Sequence, residues 1–388
     1  MVGRGLGQAS VFPQETAMRV VYFSKTSEIG PASRYRIYQF MPYLKTAAIQ
    51  CSVRPLLGPA YFKLIEIQAW PVRIFGKSMY SAVRFLKRVW DLAMMGKPDL
   101  IVVEGQLFPY CPPWGERLLT WMGQRLVIEF DDAIYLTRFH QRKMPQLLRL
   151  SVSAIVGNRT LAEYARRFAP TVTVIPTVVD TERFVPLSLS KEKILGRLKS
   201  PITIVWMGLA YNASYLDVLV PALQMVQSEL RARFRVISSR PPDLSGVEVE
   251  FFPWDLQTEV EHLQDCQIGI MPLPDSEWAR GKCGLKLLQY MALGIPAVAS
   301  PIGVNQEIIR SGENGLLATT PSEWSSHLVR LCRDAGLRQR LGAAARRTVE
   351  ARYALSVWGP RLAQEYLATA DRTGSLKIGR SCAQSINR

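Results

Sequence analysis

Arg280-Gly-Lys-Cys-Gly-Leu-Lys286 places three cations and two glycines immediately before a helix-like run that stops at Gly294. Lys282, Lys286 and Gln289 recur at spacings of four and three, which is one stripe of a helix, while Leu285, Leu288, Met291 and Ala292 form its apolar face. Backbone N–H groups around Cys283 and Gly284 would be unpaired at the helix start, where the helix dipole favours an anion; Arg280 and Lys282 add charge there. That combination predicts a diphosphate site. An ordinary strand-helix-strand unit with solvated lysines has the same appearance, and chemistry alone leaves both readings open.

Two further groups have the right chemistry for a substrate. Asp131 and Asp132 are adjacent carboxylates at the end of a strand-like run. Neighbouring residues leaving a strand point in different directions, so they do not form an acid/base pair, and Asp132 is read as a contact to substrate hydroxyls. Near the start of the chain, Gly30 permits close backbone approach, and Ser33, Arg34 and Arg36 offer donors to a phosphate or an acceptor. A simple turn and helix cap explains that loop equally well. His140, in a basic loop, reads as a surface residue.

The elements that must hold these residues are short apolar runs alternating with helical patterns. Met18–Ser24, Leu100–Glu104, Arg125–Phe130 and Ser153–Asn158 read as buried parallel strands of one sheet. Ile202–Gly208, Phe234–Ser239, Glu248–Phe251, Ile268–Leu273 and Pro296–Ser300 read as those of a second. In such sheets ligands gather at the carboxyl ends of the strands, which is where the loops with Gly30, Asp132, Gly208 and Lys282 fall.

The 388 residues are 48% hydrophobic and 21% charged, enough for two globular domains with substantial cores. A net charge of +16 implies an acidic partner: nucleic acid, an anionic membrane surface or a phosphorylated substrate. No recognition motif supports nucleic acid. The six cysteines have neither disulfide nor zinc spacing, which fits a reducing cytoplasm. No apolar run reaches the ~20 residues of a spanning helix. Between residues 61 and 97, Phe62, Trp70, Phe75, Tyr80, Phe85 and Trp90 are interleaved with seven cations and only Glu66 and Asp91. This mixture suits peripheral contact with an anionic membrane; aromatics packed on the sheet beneath solvated charges are the alternative.

The segment 268–318 resembles the donor-site signature of family 4 glycosyltransferases, of the form Glu-Gly-Phe-Gly-Leu-x-x-x-Glu-Ala-Met-Ala-x-Gly-x-Pro-Val-Ile-Ala-Ser, and its Arg-Gly-Lys-Cys-Gly start resembles a subgroup of that family. Pro176, Val179, Asp180, Phe184 and Pro186 resemble the family's interdomain passage. The resemblance spans about 18 to 370. It implies a GT-B fold, two Rossmann-like α/β domains facing each other across a cleft, and transfer of sugar from a nucleoside diphosphate sugar with retention and without a metal. It implies donor binding by Gly208, Cys283, Gly284, Leu285, Lys286, Gln289 and Glu307, with Lys282, Arg280 and Asp132 as catalytic groups and Gly30, Ser33, Arg34 and Arg36 facing the acceptor. Three positions depart from the pattern. Gly281 and Gln289 replace the paired glutamates, and Leu209 follows Gly208 where relatives carry arginine and a later lysine, which moves phosphate recognition onto Arg280, Lys282 and Lys286.

The expected division is a leader at 1–17, an acceptor domain at 18–185, a linker at 186–200, a nucleotide-sugar domain at 201–350, a returning crossover helix at 351–371 and a basic tail at 372–388. The expected acceptor is a glycan, lipid-linked if 61–97 meets a membrane, as in envelope or capsular polysaccharide synthesis on the inner face of the cell membrane. The missing glutamates also admit a catalytically silent nucleotide-sugar or glycan binder, and the fold admits a sugar-nucleotide epimerase.

Overall fold

The computed structural model describes residues 17–67, 69–187 and 201–374. The expected leader up to residue 16, most of the linker and the tail beyond Gly374 lie outside the described residues.

Twelve strands among the described residues form two all-parallel sheets of six. The first contains β1 (Met18–Phe23), β2 (Ile49–Val53), β3 (Leu100–Glu104), β4 (Leu126–Phe130), β5 (Ser153–Val156) and β6 (Val172–Val174), in the order β2-β1-β3-β4-β5-β6. The second contains β7 (Thr203–Met207), β8 (Arg233–Ser238), β9 (Val249–Pro253), β10 (Ile268–Met271), β11 (Ala297–Ala299) and β12 (Leu316–Leu317), in the order β12-β11-β10-β7-β8-β9. β3, β4, β7 and β10 are buried along their whole length, as expected of Val/Ile-rich strands covered on both faces by helices. β2 has no such run: Ile49-Gln-Cys-Ser-Val alternates with polar residues because it lies at the sheet edge.

Strand order reverses between β1 and β3 in the first sheet and between β7 and β10 in the second. Each reversal opens a crevice where the connecting loops diverge to opposite faces. The first sheet's helices are α1 (Pro31–Arg36), α2 (Met41–Thr46), α3 (Pro59–Glu66), α4 (Trp70–Ala93), α5 (Trp114–Trp121), α6 (Met144–Leu150) and α7 (Arg159–Ala165). The second sheet carries α8 (Val220–Leu230), α9 (Glu259–Gln264), α10 (Glu277–Arg280), α11 (Leu285–Ala292), α12 (Asn305–Ile308), α13 (Pro321–Arg333) and α14 (Ala335–Arg352).

α15 (Leu355–Arg372) returns to the first half. Val179 and Leu355 bond back and forth, Val179 N–H to Tyr353 O and Leu355 N–H to Val179 O, and Leu362 and Tyr366 then bury themselves beside Val20 and Tyr22. The halves also exchange core residues: Cys283 packs in the core of the first, and Tyr35 in that of the second.

Residues 61–97 fold mainly as the end of α3 and as α4. Both expectations for this stretch find side chains. Phe85 packs on Phe108 and the Tyr80 hydroxyl accepts the Gly58 N–H, so these aromatics face inward. Val72, Phe75, Met79, Val83, Leu86, Trp90 and Met94 recur every three or four residues on the outside, an apolar helical stripe with no protein against it.

Candidate active site

The focal segment is positioned by α10 and α11. Ser276 caps α10 by accepting the Ala279 N–H, and Gly284, at φ 73°, turns the chain into α11. A Cβ at Gly284 would stand 2.6 Å from Ile308 Cδ1, so glycine is required there by conformation and by space. Leu288 N–H is bonded to Gly284 O, which leaves the three preceding helix N–H groups at the end where an anion is favoured.

This segment is clasped by the first half. Asn158 caps α7 with its side-chain oxygen, and its Nδ2 donates to the carbonyls of Gly281 and Lys282 at 2.9 and 3.2 Å. Cys283 Sγ donates to Asp131 O at 3.1 Å and occupies the space over Gly157, where a Cβ would lie only 2.3 Å from the sulfur. A Cβ on Gly281 would lie 2.7 Å from that of Ala133. The family's first glutamate is therefore excluded at 281 by the first half's own backbone. Burial, then the Asp131 charge, pushes the Cys283 thiol far up, which marks it as a packing residue and no nucleophile.

Two lysines face the crevice between β7 and β10. Lys282 Nζ is 3.2 Å from Asp132 Oδ1. Burial disfavours its charge, but Asp132 and Tyr211 outweigh that and hold its proton more firmly than usual. Among the described residues Lys286 has no ion pair or hydrogen bond: its ammonium lies 4.7 Å over the Trp206 ring, and a Cβ at Gly208 would come within 2.8 Å of it. Burial, then the neighbouring Lys282, lowers its pKa to about 7. Asp131 is pushed up to about 7 by burial, Asp132 and Glu129. Gly208 is thus the space that Lys286 fills, which accounts for a glycine followed by no second cation.

Several expected ligand groups are committed to the protein. Arg36 is buried and donates to Glu129 at 2.5 Å and to Ile175 O at 2.7 Å. Ser33 donates to Glu104 at 2.6 Å, and Gly30 makes its close approach to Thr26, not to a ligand. The expectation of Gly30, Ser33 and Arg36 as substrate contacts is corrected accordingly: the buried carboxylates at 104 and 129 need Ser33 and Arg36 as donors, and Gly30 makes room for Thr26. Arg34 differs. It is 6% exposed, its Nε has no partner, and its guanidinium rests 5.1 and 5.0 Å from the Tyr35 and Trp254 rings at the join of the two halves.

Gln289 was expected on the open stripe with Lys282 and Lys286, but it is buried and its Nε2 donates to the Tyr35 hydroxyl at 2.9 Å. Leu285 is half-buried at the first turn of α11. Arg280 does not join the lysines: it pairs with Asp275 at 2.8 Å in an exposed bridge and borders a separate open cavity of about 280 Å³ with Thr160, Ile302 and Gln306. Glu307 reaches Arg159 of the first half at 3.9 Å. His140 is half-buried, bonded to Gln106 and Thr137, and burial followed by Lys143 and Lys25 lowers its pKa.

Sequence reasoning missed Tyr35, Gly157, Asn158, Trp206, Tyr211 and Trp254. Their signal is weak because they are scattered over a helix, a strand and several loops far apart in the chain.

With this geometry in view, comparison with known proteins is informative. The sequence model of the family described as Glycosyl transferases group 1 matches residues 201–334. A D-inositol 3-phosphate glycosyltransferase from Stackebrandtia nassauensis is 29% identical over 45% of this chain and 44% of its own, so the match spans less than half of that relative. Sucrose-phosphate synthase from Thermosynechococcus elongatus superposes with a TM-score of 0.66 at 16% identity, covering 92% of this chain and 100% of that one. Anabaena HepE in complex with UDP-glucose gives 0.65 at 16%, covering 91% and 100%. The chain thus has the GT-B fold, and its residues 201–334 match the sequence model of the group 1 glycosyl transferases.

Proposed function

We propose that this protein is a retaining, metal-independent glycosyltransferase that moves a hexosyl group from a nucleoside diphosphate sugar to a glycan acceptor. The observation that carries the reading is Lys286: a crevice-facing ammonium over Trp206, beside Lys282 and the start of α11, with no carboxylate to neutralise it. Charge develops on the diphosphate as it leaves, so fixed cations and helix N–H groups aimed there lower the barrier with no reorganisation. Lys282, released in part from Asp132 by the incoming phosphates, supplies the second charge, and Asp132 is then free to accept from sugar hydroxyls. Arg34 approaches from the first half over Trp254. The complexes of HepE with UDP-glucose and with UDP support a uridine nucleotide as the first donor to try.

Calorimetric titration with UDP, GDP and their sugar conjugates tests this. One nucleotide class should bind, and Lys286→Ala and Lys282→Ala should lose it; unchanged turnover in Lys282→Ala would contradict the assignment. Chelation with EDTA should leave activity unchanged. A catalytically silent GT-B binder is the second reading, favoured by the direct packing of Gly281 and Cys283 on the first half. It would bind donor without transfer or hydrolysis. An epimerase would convert the donor with no acceptor present.

The unpartnered α4 stripe supports peripheral association through residues 61–97 with an anionic membrane, on the inner face of the cell membrane, and hence a lipid-linked acceptor of envelope or capsular polysaccharide synthesis. No helix among the described residues is long and apolar enough to cross a membrane. Flotation with liposomes that does not depend on anionic lipid would count against this association.

A further inference from the structure

α5 carries a second outward apolar stripe. Trp114, Leu118, Trp121 and Met122 stand one and two turns apart, and they are 53, 54, 84 and 55% exposed. The inner face is conventional: Leu119 is buried, and the buried Glu116 accepts the Leu107 N–H and faces Lys143 Nζ at 3.5 Å. That arrangement removes the helix's only carboxylate from the surface and leaves Arg117 as the charge of its outer face.

The start of α5 reaches α4 through rings of the core rather than across the surface. Phe85 of α4 packs on Phe108 with ring centres 4.6 Å apart, and Phe108 stacks on Trp114 at 6.5 Å. On α4, too, the described acid is withdrawn, since Asp91 is held by Lys87 and Arg54. The outer faces of two adjoining helices therefore present indoles, aliphatic side chains and cations with no free carboxylate. Indoles suit the headgroup level of a bilayer, and cations without free carboxylates beside them suit anionic lipid.

α5 also begins on the cleft side of the first sheet, after the loop from β3. In that loop Tyr110 has a strained φ of 62° and is T-stacked on Phe139, from the loop after β4, at 5.3 Å. Both rings are exposed.

We propose that α5 is a second membrane-seating helix, which together with α4 lays the first half on an anionic bilayer with the Tyr110–Phe139 lip of the cleft turned to the headgroups. This rests on the membrane association proposed above and deepens it. A single helix leaves a protein free to roll about its axis; two adjoining helices fix a plane. The acceptor is then an amphiphile held in the same leaflet, whose saccharide or phosphate head enters the cleft past Tyr110 and Phe139.

Sedimentation of the full chain with phosphatidylcholine vesicles, with and without phosphatidylglycerol, reads the partition directly. Trp114→Ser/Trp121→Ser should lower partition onto the anionic vesicles by about tenfold or more, with far-UV circular dichroism and UDP titration unchanged. Leu118→Lys should also lower it, because an added cation favours adsorption but opposes insertion. If the α5 variants partition like the wild type while Phe75→Ser/Leu86→Ser does not, the α4 association stands and the α5 proposal is overturned. If the wild type ignores anionic vesicles, both membrane readings fall, and the UDP titration still decides the glycosyltransferase reading separately. Wild-type dimerisation abolished by the α5 substitutions would assign the stripe to a second copy of the chain and overturn the proposal.

Discussion

The two crevices at the strand-order reversals occupy equivalent places in their sheets but treat their charges differently. Beside the β1/β3 crevice, Ser33 and the Lys25 N–H bond Glu104, and Arg36 pairs with Glu129, so both buried carboxylates are met from within the same half. At the β7/β10 crevice, Lys282 is answered only by Asp132 from the opposite half, and Lys286 is answered by an indole face alone. Desolvating a charge without a partner is costly, so an unanswered ammonium persists where a ligand makes up the difference. Basic residues in a loop thus have two fates. Structural ones find a carboxylate in their own domain, and ligand-binding ones are kept from it.

The largest effect should come from breaking the answered side. Arg36→Ala leaves Glu129 buried beside no cation and should cost about 3–5 kcal/mol of stability. Thermal or urea unfolding would report it. Calorimetric affinity for the donor nucleotide should stay close to wild type; a loss of affinity with stability intact would return Arg36 to the binding site.

The unanswered side should behave inversely. Lys286→Ala should leave stability near wild type and lower turnover by roughly 10²- to 10³-fold, about 2.7–4 kcal/mol in the barrier. The charged amine is the form that binds, and a diphosphate would hold its proton on, so binding takes up a proton above the free pKa of about 7. Nucleotide affinity should therefore fall as pH rises beyond that value, by up to about tenfold per unit. A flat profile in the wild type would mean the amine is charged throughout or does not touch the phosphates.

A smaller effect is expected at the join. Gly281→Glu restores the family residue against Ala133 and should destabilise the docking of the halves by about 1–3 kcal/mol, visible as a larger radius of gyration in small-angle scattering. The smallest belongs to Arg280. Its bridge to Asp275 is solvent-exposed, so Arg280→Ala should change stability by under about 1 kcal/mol and turnover by no more than severalfold. A 10²-fold loss would place Arg280 on the diphosphate after all.

Most of the fold could be read directly. β3 has the ends expected from sequence, and the other runs anticipated as strands differ by a few residues at their ends, because a strand buried on both faces must be continuously apolar. β2 was missed because its edge position lets polar residues alternate. The start of α11 was legible from glycine and lysine spacing. Its neighbour Gln289 was not: helical spacing places it beside the lysines, but a tyrosine from the other half covers it.

The sequence by itself determined two parallel α/β sheets, the donor-side helix and the absence of the paired glutamates, since these depend on local periodicity and residue type. Tertiary structure alone decided which cations are answered. It also decided that glycine at 281 is demanded by Ala133, and that the indoles of α5 face outward beside those of α4. Pairing, close approach and exposure depend on residues far apart in the chain, and the spacing within any one segment carries no record of them.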